Sequence, residues 1–421
     1  MEKGFAQSDD VCNGIMSSMP LGIYISVPFC RTKCSYCNFA SDVFSRAVFE
    51  RYVDRVCTDI ENAPSTASAV GGLKERKVDS IYLGGGTPTV LEPAQLGRIF
   101  ATVQSQFEVK AEAEVTVECA PGTLTASMLE SLLRCGVNRV SLGVQSFVDQ
   151  EAAAVGRVHK RVTILDDIAR LRSAGVLNIN IDLIAGLPHQ TAESWEFSLS
   201  ETIRTGAGHV SVYMLEVDDD SRLGREVIAG GTRYHAHFVP DEEAIADFYL
   251  VACERLEAAG IAHYEISNFS REGFQSKHNL KYWTRKPYLG FGVDAHSMLY
   301  STTTGLDAVR LASSDSLEKY ASVNVTQPDP VSRSAALEEN FFLGLRLTQG
   351  INLKDLTAKF GDAVERYQAA ISESVTDGLI ERHGEFVRLT SRGRLLSNEV
   401  FERFLLADGS IDKTDTIHSG H

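Results

Sequence analysis

Long apolar runs are missing from this chain. No segment offers 18 or more uncharged apolar residues, so no helix has the composition to span a bilayer. The N-terminus, MEKGFAQSDDVCNGIMSSMP, lacks the apolar stretch of a secretory signal, and the expected location is the cytoplasm. Positive charge is also short: 41 Lys and Arg stand against 56 Asp and Glu, a net charge of −15. That balance repels phosphate backbones and no Lys/Arg run offsets it, so no nucleic-acid partner is expected, and membrane contact only through another protein. Cysteine is scarce as well. Eight in 421 residues make no disulfide framework. What is present is ordinary: 43% apolar and 23% charged residues, the balance of a globular protein rather than a disordered one. The length suits one large domain with an appended module, and oligomeric state is left open.

Three of the eight cysteines are crowded into ISVPFCRTKCSYCNFAS, at Cys30, Cys34 and Cys37. A structural zinc wants four ligands and a disulfide two. Three thiolates at this spacing can hold three corners of an iron–sulfur cube and leave the fourth iron open, which makes that iron a reactive site. The rival is a zinc site completed by His159 or His278. The remaining cysteines, at 12, 57, 119, 135 and 253, are scattered, and most read as small buried hydrophobes.

Six β-rich runs recur, LGIYISVPF, DSIYLGGGTP, AEVTVECAPG, NRVSLGVQSF, NINIDLIAGLP and HVSVYMLEV, each followed by a loop and a stretch of helical period. Phe49, Tyr52, Val53, Val56 and Ile60 fall on one helical face; so do Leu96, Ile99, Phe100, Val103 and Phe107, and Trp195, Leu199 and Ile203. Such alternation predicts an α/β fold with a parallel sheet, curled into a barrel or partial barrel whose post-strand loops share one end. A helix is predicted over 241–259, followed by an irregular aromatic-rich stretch to about residue 299. From about 334 the chain is helical again and ends in two short strands around His383 and Gly384 with a helix after them, a winged-helix-like pattern. His235 and His237 read as surface histidines, and GLPHQT around His189 as a turn.

The cysteine loop after the first strand, with Tyr36 before its last cysteine and GGGTP some 50 residues on, resembles the radical S-adenosylmethionine (SAM) superfamily. IYLGGGTPTVL, VTVECAPGTLT, GVNRVSLGVQSF, VGRVHK, NINIDLIAGLPHQT, YEISNFSR, HNLKYW and EENFFLGLRLTQGINL follow in the order seen in oxygen-independent coproporphyrinogen III oxidases and their relatives. The resemblance implies a partial (β/α)6 barrel over 21–232, a family-specific extension over 233–333 carrying HNLKYW and a winged-helix-like module over 334–406, with tails over 1–20 and 407–421. It further implies a 4Fe-4S cluster on Cys30, Cys34 and Cys37, with SAM on the fourth iron. By the same resemblance Gly85, Gly86 and Thr87 meet the methionine amino group, Glu118 and Arg157 grip the ammonium and carboxylate, and Tyr24, Tyr36, Gln145 and Asp182 are further SAM contacts. His296 is a second candidate near that cofactor.

Two departures from the oxidases stand out. Those enzymes resemble CxxxCxxCxC, whereas Phe39 takes the last cysteine's place here, and only about 20 residues precede the first predicted strand instead of a longer extension. Both match a sister group, the HemW-type heme chaperones, which bind a 4Fe-4S cluster and SAM and hand heme to acceptor hemoproteins. HNLKYW matches that group's HNxxYW motif, which implies His278 as an iron ligand with Tyr282 and Trp283 against the porphyrin. The leading expectation is thus a chaperone with heme and an acceptor hemoprotein as partners. The alternatives are radical decarboxylation of coproporphyrinogen and, behind it, a related methyltransferase or heme-degrading enzyme.

Overall fold

The computed structural model describes residues 19–322 and 327–405. The expected tail over 407–421, most of that over 1–20, and Cys12 lie outside the described residues. The chain divides into two compact units between Ser332 and Arg333.

In the first unit the six predicted runs become β1 (Leu21–Val27), β2 (Lys77–Gly85), β3 (Glu108–Cys119), β4 (Arg139–Gln145), β5 (Asn178–Ala185) and β6 (His209–Met214). They lie side by side in chain order, each parallel to the next. The crossovers carry α1 (Phe49–Ala69), α2 (Pro93–Gln106), α3 (Ala126–Arg134), α4 (Asp149–Ala154), α5 (Arg161–Ser173) and α6 (Ala192–Thr205). The apolar faces read from periodicity are the ones that bury: Phe49, Tyr52, Val53, Val56 and Ile60 on α1, and Leu96, Ile99, Phe100 and Val103 on α2. Each such side chain contributes about 1.5–3 kcal/mol when fully removed from water. Helix starts are fixed locally. Thr125 accepts from the Met128 amide to cap α3, and Thr191 and Ser194 form a reciprocal capping box on α6.

The strands alternate, but with polar side chains turned to the inside of the curl. Ile81, Leu83, Val115, Val117, Val140, Leu142, Ile181, Leu183, Val210 and Val212 are buried apolar positions, whereas Ser141, Asn180 and Ser211 form a hydrogen-bonded row across three strands. The Asn180 amide nitrogen donates to Ser141 Oγ at 2.6 Å and to Ser211 Oγ at 3.0 Å.

The stretch expected to be irregular is instead structured. After α7 (Arg222–Ile228) and α8 (Glu242–Ala258) come β7 (Ala262–Glu265), β8 (Asn268–Ser270), α9 (Lys277–Trp283), β9 (Tyr288–Gly292), β10 (His296–Tyr300), β11 (Leu306–Ala312), α10 (Leu317–Ser322) and β12 (Pro328–Ser332). The sheet order is β12-β11-β10-β9-β1-β2-β3-β4-β5-β6-β8-β7. Its edge strands β12 and β7 do not pair with each other, so the barrel is partial, as expected. These added strands run only three to seven residues, too short for alternation to announce them.

The second unit contains α11 (Arg333–Gly344), β13 (Ile351–Asn352), α12 (Leu353–Phe360), α13 (Gln368–Thr376), β14 (Ile380–His383), β15 (Phe386–Leu389), α14 (Ser391–Leu395) and α15 (Ser397–Glu402). The three strands form an antiparallel sheet in the order β13-β15-β14. Phe341 centres its core, 4.6 Å from the Tyr367 ring and 4.8 Å from Phe404.

Candidate functional site

The cysteine loop leaves β1 through Phe29, which is wedged by aromatic contacts: stacked on Phe49 at 4.0 Å and edge-on to Tyr52 at 5.0 Å. From there the loop is held largely through its main-chain groups, by side chains and by neighbouring segments. The Cys30 amide donates to Asp42 O (3.0 Å), the Ser35 amide to Val155 O (3.1 Å), Lys33 Nζ to Phe39 O (2.7 Å) and Ser41 O (2.6 Å), and the Arg222 guanidinium to Lys33 O. All three cysteines are free thiols. Burial raises the Cys30 pKa; a bond from Ser41 lowers it, the nearby Cys37 raises it, Thr87 lowers it and Cys34 raises it again. The three thiols and Thr87 therefore share one electrostatic neighbourhood. Among the described residues no three His, Cys, Asp or Glu side chains converge enough to hold a single metal ion. A cube anchors each thiolate on a different iron, so it calls for thiols spread around it rather than aimed at one point. Of the two suggested fourth zinc ligands, His159 faces Val144 O at 3.2 Å and His278 faces Ser80 Oγ at 3.0 Å instead.

The second loop is stitched to the first. The Gly86 amide donates to Val27 O and the Thr87 amide to Phe29 O, both at 2.7 Å. A Cβ on Gly86 would lie 2.7 Å from Phe29 O and 2.8 Å from Val27 O, so only glycine permits this approach. Gly85 has φ +94°, a backbone that side chains resist.

Around this junction the structure gathers Tyr24, Tyr36, Glu118, Gln145, Arg157 and Asp182. Tyr24 lies 6.1 Å from Tyr82, whose hydroxyl donates to Glu118 Oε1 at 2.8 Å. Burial, and then the neighbouring Asp182 carboxylate, push the Glu118 pKa up to about 7. Asp182, also raised chiefly by burial, accepts from Ser141 (3.0 Å) and Asn180 (2.7 Å). Arg157 and Gln145 converge beside Gly143: a Cβ there would lie 2.8 Å from an Arg157 terminal nitrogen and 3.2 Å from Gln145 Nε2. Burial opposes the Arg157 charge, but Tyr36 and the Cys34 and Cys30 thiols hold its pKa above the usual range. His296, the first residue of β10, is exposed, with Asp294 at 3.9 Å.

Two buried polar atoms here have no partner, Gln145 Oε1 and Arg157 Nε, and nearer the start of β4 Thr116 Oγ1 and Arg139 Nε have none. Orphaned donors and acceptors inside a protein cost about 1–3 kcal/mol each unless a ligand or water engages them. Gln145 also carries φ +67°. An acceptor, a cation and a carboxylate in one buried neighbourhood fit the ammonium and carboxylate ends of an amino acid such as SAM carries, and the three thiols fit a cluster with an open iron beside it.

HNLKYW lies at the opposite end of the strands. Gly22, at the start of β1, is so close to it that a Cβ would touch His278 Cε1 at 3.1 Å, and Gly22 to Val27 spans roughly 16 Å of strand. Several polar groups of this helix are paired. Glu114 accepts from the Lys277 and His278 amides (both 3.2 Å), and Lys281 binds Asp79 (2.6 Å) and Pro20 O (2.8 Å). His278 is buried, with Ser80 Oγ 3.0 Å from Nδ1 and the Tyr282 hydroxyl 2.9 Å from Nε2. Iron can reach neither nitrogen without breaking one of these contacts. Trp283 is buried, and Tyr282 packs edge-on to Tyr288 at 4.6 Å.

Sequence reasoning passed over three features. Arg139, 1% exposed, acts electrostatically on Glu118, Asp182, His209 and His278 from the first position of β4, and its place in the alternation of RVSLGVQ was the available signal. Tyr82, two residues before GGGTP, holds Glu118. The third is a contact: His189, from the loop after β5, meets His235 (Nε2 to Nδ1, 3.0 Å) beside Phe238. No sequence signal joins residues 46 positions apart.

Comparison with known proteins agrees with this architecture. The radical SAM superfamily pattern matches residues 24–201, and that of the HemN C-terminal domain residues 331–396. A heme chaperone HemW from Bacillus subtilis is 34% identical over 91% of this chain and 98% of its own length; one from Lactococcus lactis is 32% identical over 93% and 99%. The Escherichia coli HemW is 29% identical over 92% and 98%. Coproporphyrinogen III oxidase (HemN) of Escherichia coli superposes with a TM-score of 0.76 over 95% of this chain and 93% of its own, at 22% identity, a likeness of fold. On the strength of full-length similarity above 30% identity, joined to this barrel and its cysteine loop, the chain belongs to the HemW family of the radical SAM superfamily.

Proposed function

We propose that this chain is a heme-trafficking protein of the cytoplasm: it holds a 4Fe-4S cluster and SAM at the C-terminal end of its barrel, binds heme, and passes it to an acceptor hemoprotein. The observation that carries the reading is the full-length similarity to proteins named heme chaperones. A cluster bound there would supply an open iron for SAM and a store for one electron. The chain's own residues supply the rest. Cys30, Cys34 and Cys37 are the proposed cluster ligands. Glu118, ionised above its pKa of about 7, takes the ammonium, and Arg157 takes the carboxylate. Gly85, Gly86 and Thr87 bring main chain against the same end of the ligand, while Tyr24, Tyr36, Gln145, Asp182 and the exposed His296 bound the rest of the pocket.

Phe39 supports a chaperone over an oxidase, since its exposed ring (44%) stands where the oxidases are expected to place a further thiol. The test is anaerobic turnover of the reconstituted protein with SAM, dithionite and coproporphyrinogen III, read by mass, beside transfer of bound heme to an apo-hemoprotein. Intact porphyrinogen with heme transfer supports the reading. Protoporphyrinogen formed in step with 5′-deoxyadenosine makes the chain an oxidase and overturns it.

A further inference from the structure

Among the six non-glycine residues with positive φ in the described residues are Gln145 (67°), the last residue of β4, and His189 (69°), Tyr234 (55°) and His235 (61°), in the segments that follow β5 and β6. Gln145 belongs to the pocket described above. The other three belong to one surface cluster that the SAM reading leaves unused. Left-handed backbone at a non-glycine residue costs of order 1 kcal/mol, so this strain is held by the surrounding contacts. One is a backbone tie, the His189 amide to Phe238 O at 3.0 Å. Beneath it, Tyr234 and Val239 pack on a buried cluster of Val155, Ile184, Leu187, Leu215, Leu223 and Ala236. The base is rigid and apolar, and the top is a set of imidazoles.

That top has unusual composition for a surface. Phe238 is 47% exposed, with the His189 ring at 4.1 Å and the His237 ring at 4.0 Å, while His235 Nδ1 faces His189 Nε2 at 3.0 Å. Exposed aromatic surface flanked by imidazole nitrogens suits a flat, apolar ligand with a metal at its centre. The iron of a tetrapyrrole needs only one or two axial ligands and a flat wall for the macrocycle. A bare cation needs more, and no three-ligand group is present among the described residues. The exposed Arg233 guanidinium, over the Tyr234 ring at 5.5 Å, adds positive charge where a carboxylate-bearing ligand must approach a chain of net charge −15. Accessibility separates this cluster from His278, which is buried and engaged at both nitrogens.

We propose that His189, His235 and Phe238 form a docking surface for heme on the same end of the barrel as the cysteine loop, with an imidazole of the histidine pair as axial ligand and Phe238 against the macrocycle. This rests on the heme-trafficking reading and says where the cargo is held for transfer. An exposed position lets a ligand be passed on without unfolding the donor, which a buried site under α9 does not.

The full chain is titrated with ferric heme and followed at the Soret band. His189→Asn combined with His235→Asn is expected to weaken binding tenfold or more and to move the band; Phe238→Ser is expected to weaken it about threefold; His278→Asn is expected to leave it within twofold. The substituted side chains of the cluster are at the surface, and thermal unfolding verifies that the fold is kept. Unchanged affinity and spectrum in the double variant overturn the proposal, as does loss of heme in a folded His278→Asn protein with the double variant unaffected. Zinc chloride is the control ion: a double variant that loses zinc but keeps heme shows a cation site and overturns the proposal. If the unsubstituted chain binds no heme, the trafficking reading itself fails, and that outcome is distinct from a docking surface placed wrongly.

Discussion

The two ends of the barrel strands are built on opposite principles. At the N-terminal end, around α9, polar groups are matched: His278 to Ser80 and Tyr282, Lys281 to Asp79, and the start of the helix to Glu114. At the C-terminal end Gln145 and Arg157 each keep a buried polar atom without partner, three thiols sit together, and Gln145, His189 and His235 adopt left-handed backbone. The end around α9 is the more fully matched of the two. The family motif HNLKYW therefore sits in the better-satisfied half, where substitution should cost stability first, and the cysteine loop sits where substitution should cost binding first.

The largest effect that would break this comparison is expected at the thiols. Cys34→Ser should lower iron and sulfide retained after anaerobic reconstitution to near background, while the unfolding transition of the unreconstituted protein stays close to that of the parent. A large fall in apo stability would mean that the loop is structural rather than a ligand holder. Gly86→Ala comes next, because the added Cβ meets only backbone, Phe29 O, Val27 O and Phe29 N. A cost of about 3 kcal/mol in urea unfolding is expected. Gly22→Ala, at the other end, meets the Lys281 and His278 side chains, which can shift, and should cost about 1 kcal/mol.

His278→Asn tests the end around α9. Losing two buried hydrogen bonds should cost about 2 kcal/mol. Burial, then Lys281 and Arg139, hold the His278 pKa down to about 3, below the ordinary 6.5. The unfolded imidazole therefore takes a proton that the folded one refuses. The contribution of His278 is complete above pH 6.5 and lost progressively as pH falls toward about 3. Thermal unfolding between pH 7 and 4 should show a shallower slope in the variant. Equal slopes would put the acid sensitivity elsewhere.

How much of this contrast was written in the sequence depends on the length scale of the signal. The six parallel strands were legible because each alternates over six or more residues, and the cysteine loop because its three thiols lie within eight positions. Glycine at 85 and 86 announced a close approach that the backbone oxygens of Val27 and Phe29 now explain. Strands β7 to β10 were not legible, being three to five residues long with glycine and aromatics interleaved. Arg139 was missed because an arginine in a strand usually faces water, whereas here the polar face points into the barrel. The pairing of His189 with His235 needed the fold itself, since two loops meet only after β5 and α7 are in place.

The smallest effect sharpens the comparison most, because it lies at the less fully matched end. Glu118 has a pKa of about 7, raised by burial and then by Asp182, so its charge is half present at neutral pH. If it takes the SAM ammonium, SAM affinity should rise through pH 7 as the carboxylate ionises, and Glu118→Gln should lose about tenfold at pH 8, or about 1.4 kcal/mol, with no step near pH 7. The stability of the unliganded protein should move the other way. A carboxylate whose folded pKa is raised favours folding at low pH, and that advantage is lost as pH rises from about 4.5 to about 7, so Glu118→Gln should flatten this part of the unfolding profile. Opposite pH trends for binding and stability at one residue are the signature of a group held ready at a cost to the fold. Parallel trends would place Glu118 with the matched groups of the other end, as a structural partner of Tyr82.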